Sequence, residues 1–194
     1  MAIPKKITNF LDKNKQVCFG GRRQNKLKYE IIKHKTVYTA FDKATTLRVA
    51  PKIIGKTLLV KLDKNPVLVL IPANKNLDKQ KLKKIAKAKS IDFIKEAWMK
   101  KNLKGIKIGA IPPFGNLWPA RQRVRPACQS LALAGRSQAK SGGKLQTFID
   151  RGLLQNPKII INSGDYNFSI KISPAIFKKT TPDLVIGNFS QAKK

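Results

Sequence analysis

Lys56-Thr-Leu-Leu-Val-Lys-Leu62 and Val67-Leu-Val-Leu-Ile71 stand on either side of Asp63-Lys-Asn-Pro66. Two β-rich runs around a turn cluster read as a hairpin. The second run is apolar at every position. That pattern fits a strand covered on both faces, so it is expected at the centre of a sheet. Working outward, Tyr29–Lys33 reads as a short strand and Ile7–Lys13 as a short helix. Thr39 can cap a helix through Leu47. Downstream, a helix is expected from Asn76 or Asp78 to about Lys89, with Leu82, Ile85 and Ala86 on its apolar face. A second helix is expected over Ile91–Lys101, with Phe93, Ile94, Ala97 and Trp98 as its core stripe. Further strands are expected at Ile106–Ile111, Leu145–Ile149, Lys158–Asn162, Phe168–Ile172 and Leu184–Phe189. Pro174 suits the first turn of a helix through Lys178. Strands dominate, the helices come in the middle, and nothing repeats. The expected class is mixed α/β, of the α+β rather than the doubly wound kind.

The chain has 194 residues, 42% of them hydrophobic, which fits one packed domain and excludes wholesale disorder. Lys and Arg number 41 against 10 Asp and Glu, a net charge of +31. Self-repulsion on that scale opposes compaction, so a polyanionic partner is expected, nucleic acid first, because neutralising phosphates releases counterions. The longest apolar run, Val67–Ala73, is strand-length and too short to span a bilayer. Basic residues in Met1–Lys6 precede no apolar stretch of signal-peptide type. A soluble, cytoplasmic protein without membrane partners is expected. Cys18, Cys128 and the single His34 are too few for a disulfide framework or a structural zinc site, so no metal or cofactor is expected. Any chemistry would rely on lysines, backbone amides, carboxylates or hydroxyls.

The eight arginines are unevenly spread. Six fall within Gln16–Asn25 and Pro119–Gly143, which also hold both cysteines, while the rest of the chain uses Lys almost exclusively. The second segment has weak periodicity and ends in Ser-Gly-Gly, the composition of a flexible linker. Both read as insertions into a Lys-rich host. The expected division is therefore 1–28, an N-terminal helix plus insertion; 29–190, the host domain, interrupted at 119–143; and 191–194, a tail.

Six stretches, taken in order, carry a resemblance. They are His34-Lys-Thr-Val-Tyr-Thr-Ala-Phe-Asp-Lys-Ala44, Ile54-Gly-Lys-Thr-Leu-Leu-Val60, Val67-Leu-Val-Leu-Ile-Pro-Ala73, Gly109-Ala-Ile-Pro-Pro-Phe-Gly115, Phe148-Ile-Asp150 and Asn162-Ser-Gly-Asp-Tyr-Asn-Phe-Ser-Ile-Lys-Ile-Ser-Pro174. As an ordered set they resemble the YbaK/EbsC (ProX-type) aminoacyl-tRNA deacylase domain, which also occurs inserted in bacterial prolyl-tRNA synthetases. The resemblance implies a curled, barrel-like mixed sheet flanked by helices. It also implies trans-editing, the hydrolysis of the ester between a mischarged amino acid and the tRNA 3′ end. The implied partner is mischarged tRNA, with an aminoacyl-tRNA synthetase as a further one. The alternative is a non-catalytic RNA-binding or synthetase-associated module.

On composition alone Lys56 is one of 33 lysines. The resemblance implies that it is the functional one, its ammonium stabilising negative charge that develops on the ester carbonyl. Gly109 matches the family's Gly-x-x-Pro loop, whose amides would face the same oxygen, and Pro112, Pro113 and Gly115 continue it on the substrate side. Asn162, Gly164 and Ser169 match the segment lining the amino-acid pocket. Some members carry Ser and Asp where this chain has Asn162 and Ser169, so the amino acid removed is not implied. His34 is expected near the substrate, Asp150 as a structural partner, and Trp98 and Trp118 as core or loop anchors.

Overall fold

The computed structural model describes residues 4–15, 29–103, 105–118 and 145–192. Cys18, Cys128 and the two Arg-bearing segments lie outside the described residues. In chain order the first elements are α1 (Lys5–Lys15), β1 (Tyr29–Lys33), α2 (Ala40–Thr46), β2 (Gly55–Leu62), β3 (Asn65–Pro72) and β4 (Lys75–Leu77). They are followed by α3 (Lys79–Ala86), β5 (Ile91–Phe93), α4 (Glu96–Asn102), β6 (Gln146–Asp150) and α5 (Arg151–Leu154). The chain ends with β7 (Ile159–Asn162), β8 (Phe168–Ile172), α6 (Pro174–Thr180), β9 (Leu184–Gly187) and β10 (Ser190–Ala192).

The class is mixed α+β, as expected. Among the described residues the strands pair in three sheets, in the orders β5-β2-β3-β6-β9, β1-β8-β7 and β10-β4. The first two meet at a parallel bridge between Ile54 and Ile160. Within the large sheet β2 and β3 are the antiparallel hairpin, and β3 pairs β6 in parallel.

β3 is the central strand, and its side chains alternate between two cores. Leu68 and Leu70 face the main core with Leu59, Phe114, Ile149, Ile161 and Ile170. Val67, Val69 and Ile71 face a second core with Val60, Leu82, Phe148 and Phe189. Fully burying one such side chain is worth about 1.5–3 kcal/mol, so covering both faces accounts for the unbroken apolar run. A third cluster lies between α2 and the strands, where Ala44 packs against Ile54, Ala73 and Ile160 of β7. Side-chain caps set the helix starts. Thr39 accepts from the Asp42 amide, Asp78 from Lys81, and Ser173 from Ile176 with Pro174 in the first turn.

Two expectations are corrected. Ile91–Lys101 is not one helix. Ile91 and Phe93 pair with Leu62 and Val60 as an edge strand, and the helix starts only at Glu96. Sheet pairing outweighs the helical period there, and it leaves Phe93 53% exposed rather than in a core stripe. Ile106–Ile111 is not a strand. Gly105 and Gly109 both take positive φ, and the Ala110 amide turns back onto the Lys107 carbonyl.

Asp150 has the structural role expected of it. It is 2% exposed, and its carboxylate accepts backbone N–H bonds from Gly152, Phe189 and Ser190. It thereby ties the end of β6 to the β9–β10 connection. Asp150→Ala strands these donors and is expected to cost about 3 kcal/mol or more. Urea unfolding checks this: a midpoint within error of the unaltered protein would refute it.

Candidate active site

Helix α2 carries its apolar face, Ala40, Ala44 and Leu47, against the third cluster. Lys43 lies on the same side and is 6% exposed. Its ammonium donates to Asn162 Oδ1 at 2.6 Å, at the end of β7. Asn162 Nδ2 donates in turn to the Gly109 carbonyl at 3.1 Å. One side chain therefore joins the helix, the strand end and the glycine turn. Burial pushes the Lys43 ammonium down to about 8 from its ordinary 10.5.

A second pair stands beside it. Ser169 on β8 is the register partner of Asn162. His34 Nε2 lies 2.9 Å from Ser169 Oγ, and His34 Nδ1 lies 2.8 Å from the Lys35 carbonyl. A carbonyl only accepts, so Nδ1 carries the proton and Nε2 accepts from the serine hydroxyl. Burial, reinforced by the nearby Lys43 charge, lowers the pKa of His34 against the opposing backbone hydrogen bonds. The ring is thus held as a neutral acceptor. Ser169 is 0% exposed, so this pairing orients the ring and does not present a nucleophile.

The 107–110 turn and the β7–β8 turn clasp one another. The Lys107 amide donates to the Gly164 carbonyl and the Gly164 amide to the Ala110 carbonyl. Lys107 also forms an ion pair with Asp165 at 2.8 Å, and the Tyr166 hydroxyl donates to the Ile108 carbonyl. Burial works against the Asp165 carboxylate, yet the Lys107 ammonium and backbone amides hold it below its usual range. Gly109 has φ +85 with open space where a Cβ would stand. It is the exposed end of the loop, while Pro112, Pro113 and Gly115 are buried. These three brace the loop. The Gly115 amide is committed to Thr147 Oγ1, as the Ala110 amide is to Lys107.

Lys56 is half-buried, and its ammonium donates to the Lys75 carbonyl at 3.1 Å. Gly55, its neighbour, points toward Leu70 and Ile161 in the main core, so Lys56 points to the opposite face of the sheet, the one its register partner Ile71 shares. The parallel bridge joins Ile54 to Ile160, and two residues further along each strand stand Lys56 and Asn162. Alternation puts both on the side of Ile54 and Ile160, where Ala44 of α2 packs. The structure therefore brings Gly109, Asn162, Gly164, Ser169 and His34 into one cluster, while Lys56 stands on the adjoining strand with its ammonium on the Lys75 carbonyl.

Sequence reasoning missed Lys43. Its signal was available: a lysine one position before Ala44, three after Ala40 and four before Leu47 interrupts the apolar stripe of a well-capped helix. Trp118 is 3% exposed and Trp98 packs against the main core, as expected of anchors. Among the described residues, no group of three or more His, Cys, Asp or Glu could hold a metal ion, and no helix is long and apolar enough to cross a membrane.

The aminoacyl-tRNA editing domain family matches this chain over residues 34–126. The resemblance read from the sequence is thereby shown. The match includes His34, Lys43, Lys56 and the Gly109–Gly115 loop. The architecture recurs in solved structures. Hypothetical protein APE2540 is 19% identical, with TM-score 0.70 over 96% of this chain and 99% of that one. A protein described as a candidate trans-editing enzyme for prolyl tRNA synthetase is 14% identical, with TM-score 0.68 over 97% and 96%. A structure from computational epitope grafting onto scaffold proteins is 15% identical, with TM-score 0.68 over 97% of each chain. At these identities the likeness is one of fold. No curated protein matches the chain.

The buried ammonium has a consequence for stability. Its folded pKa, about 8, lies below its ordinary 10.5. Between those values the unfolded chain holds the extra proton, so stability rises with pH there. Against Lys43→Met, the unaltered protein is expected to gain stability steadily from pH 8 toward 10. Denaturant unfolding of both at matched pH reads this, and a difference independent of pH would refute it.

Proposed function

We propose that this protein is a trans-editing aminoacyl-tRNA deacylase, a hydrolase of the ester that holds a wrong amino acid on tRNA. The observation that carries this reading is the Lys43–Asn162–Gly109 chain, with Lys56 on the strand that adjoins Asn162, in a chain matched by the editing-domain family. Tight positioning of polar groups around an exposed glycine turn suits recognition of a small polar ester.

In this reading residues 29–190 form the deacylase unit and 119–143 an insertion within it. The tRNA docks by its phosphates on the lysine-rich surface. Its aminoacylated 3′ end enters beside Gly109 and Asn162. Water attacks the ester carbonyl carbon, and the carbonyl electron pair moves onto oxygen, where the Lys56 ammonium stabilises it. Collapse of that intermediate breaks the bond to the ribose oxygen, which takes up a proton. Free amino acid and a tRNA with its terminal hydroxyl result. Lys43 acts as a positioning residue, through Asn162. The nucleophile is water because Ser169, the hydroxyl paired with the histidine, is buried. The reaction so described uses no metal or cofactor. A cytoplasmic location beside the synthetases fits this substrate.

The test is a deacylation panel on tRNAs charged with Ala, Cys, Ser, Thr and Pro. At least one is expected to lose its amino acid far faster than in buffer. Lys56→Ala is expected to lower kcat/KM by about 10²-fold or more while leaving the thermal midpoint nearly unchanged. Tight tRNA binding without release of any amino acid would instead make the protein a non-catalytic RNA-binding or synthetase-associated module. Full activity in Lys56→Ala would remove that lysine from the mechanism.

A further inference from the structure

One large aromatic side chain beside the site is not explained by the core. Tyr38 is 71% exposed. It lies just before the Thr39 cap of α2. Tyr38 is nonetheless held in place. Its ring meets Tyr166 edge-to-face, with centroids 4.9 Å apart and planes at 65°. Tyr166 is itself fixed, its hydroxyl on the Ile108 carbonyl and the Lys107 ammonium 5.2 Å from its ring centre. Lys107 is fixed by Asp165. An exposed ring is thus pinned along one edge by an anchored neighbour. It is kept rigid without being buried.

The position of this ring bears on its use. The Ile108 carbonyl that anchors Tyr166 is one peptide from Gly109, whose own carbonyl holds Asn162. The aromatic shelf and the proposed ester site therefore share one turn. The charge around it favours one kind of occupant. The Lys107 ammonium stands over the Tyr166 ring, Lys35 is three residues before Tyr38 in sequence, and the chain carries a net charge of +31. An exposed ring on so basic a chain suits a single-stranded nucleic acid, whose base stacks on the ring while its phosphates meet ammonium groups. A duplex offers no free base faces, so the shelf selects unpaired nucleotides.

We propose that Tyr38, braced by Tyr166, forms a stacking shelf for an unpaired base at the 3′ end of RNA, setting the terminal ribose beside Gly109 and Asn162. The inference rests on the reading of the protein as a tRNA deacylase, and it deepens that reading by naming the group that seats the acceptor end. Stacking on such a ring contributes about ten-fold or more in affinity per base.

The test uses an uncharged RNA hairpin ending in an unpaired ACCA, with 2-aminopurine as its terminal base, and the same hairpin cut blunt. The unaltered protein is expected to bind the overhang hairpin more tightly and to quench the 2-aminopurine. Tyr38→Ala is expected to lose the quenching and about ten-fold in affinity for the overhang, with blunt-hairpin binding unchanged. Tyr38→Phe is expected to keep both. Unaltered overhang binding and quenching in Tyr38→Ala would overturn the shelf. So would an equal loss on both hairpins, which marks general phosphate attraction. Because the RNA carries no amino acid, the two proposals fail separately. Hydrolysis of mischarged tRNA with overhang binding indifferent to Tyr38 rejects only the shelf. Tyr38-dependent overhang binding with no hydrolysis of any charged tRNA rejects only the deacylase.

Discussion

Burial of one ammonium group organises this molecule's candidate site. Lys43 is drawn out of water by the packing of Ala44 against Ile54 and Ile160. A charge so placed is costly unless it is hydrogen-bonded, and Asn162 supplies the partner at 2.6 Å. That bond fixes the orientation of the amide, and the amide's other end fixes the Gly109 turn. Helix, strand and loop are separate in sequence, and a single polar chain sets their relation. The lowered pKa of Lys43 is the electrostatic trace of the same constraint.

The surrounding fold makes that constraint affordable. β3 buries both faces and places the hydrophobic stabilisation in two cores that hold no lysine. Apart from buried groups such as Lys43, Asp150 and Asp165, charge lies toward solvent, where it repels itself but also offers a surface for polyanions. The site stands where the two larger sheets meet, at the Ile54–Ile160 bridge. Beyond that bridge β2 turns to β5 for its next partner, at Val60–Leu62. Lys56 is carried on the stretch between, next to the end of β7.

Much of this was legible in the sequence. The apolar run Val67–Ile71, the turn before it and the helix starts read at Thr39, Asp78 and Pro174 each gave a local signal that the fold obeys. Asn162, Gly164, Gly109, His34 and Ser169 were each singled out through the resemblance, and the fold makes partners of His34 and Ser169. Other features depend on tertiary pairing and left no local trace. Ile91–Phe93 has a helix-compatible spacing, and only the open edge of β2 makes it a strand. The Gly109–Gly115 stretch reads as uniform, yet its prolines and Gly115 are buried and only Gly109 is open. Lys43 was passed over because one lysine among many carries little information until a partner is found 119 residues away.

The account's central claim is that Asn162, held by Lys43, and the Gly109 turn together form the seat of an aminoacyl ester. The most direct measurement is ¹H–¹⁵N NMR of the full chain titrated with adenosine bearing a 3′-amide-linked amino acid, which cannot be hydrolysed. The account predicts that the Asn162 side-chain NH2 and the Gly109 amide shift first and saturate together, while amides of the distant edge residues Ile186 and Phe93 stay in place. Saturable binding that leaves Asn162 and Gly109 unmoved would contradict it.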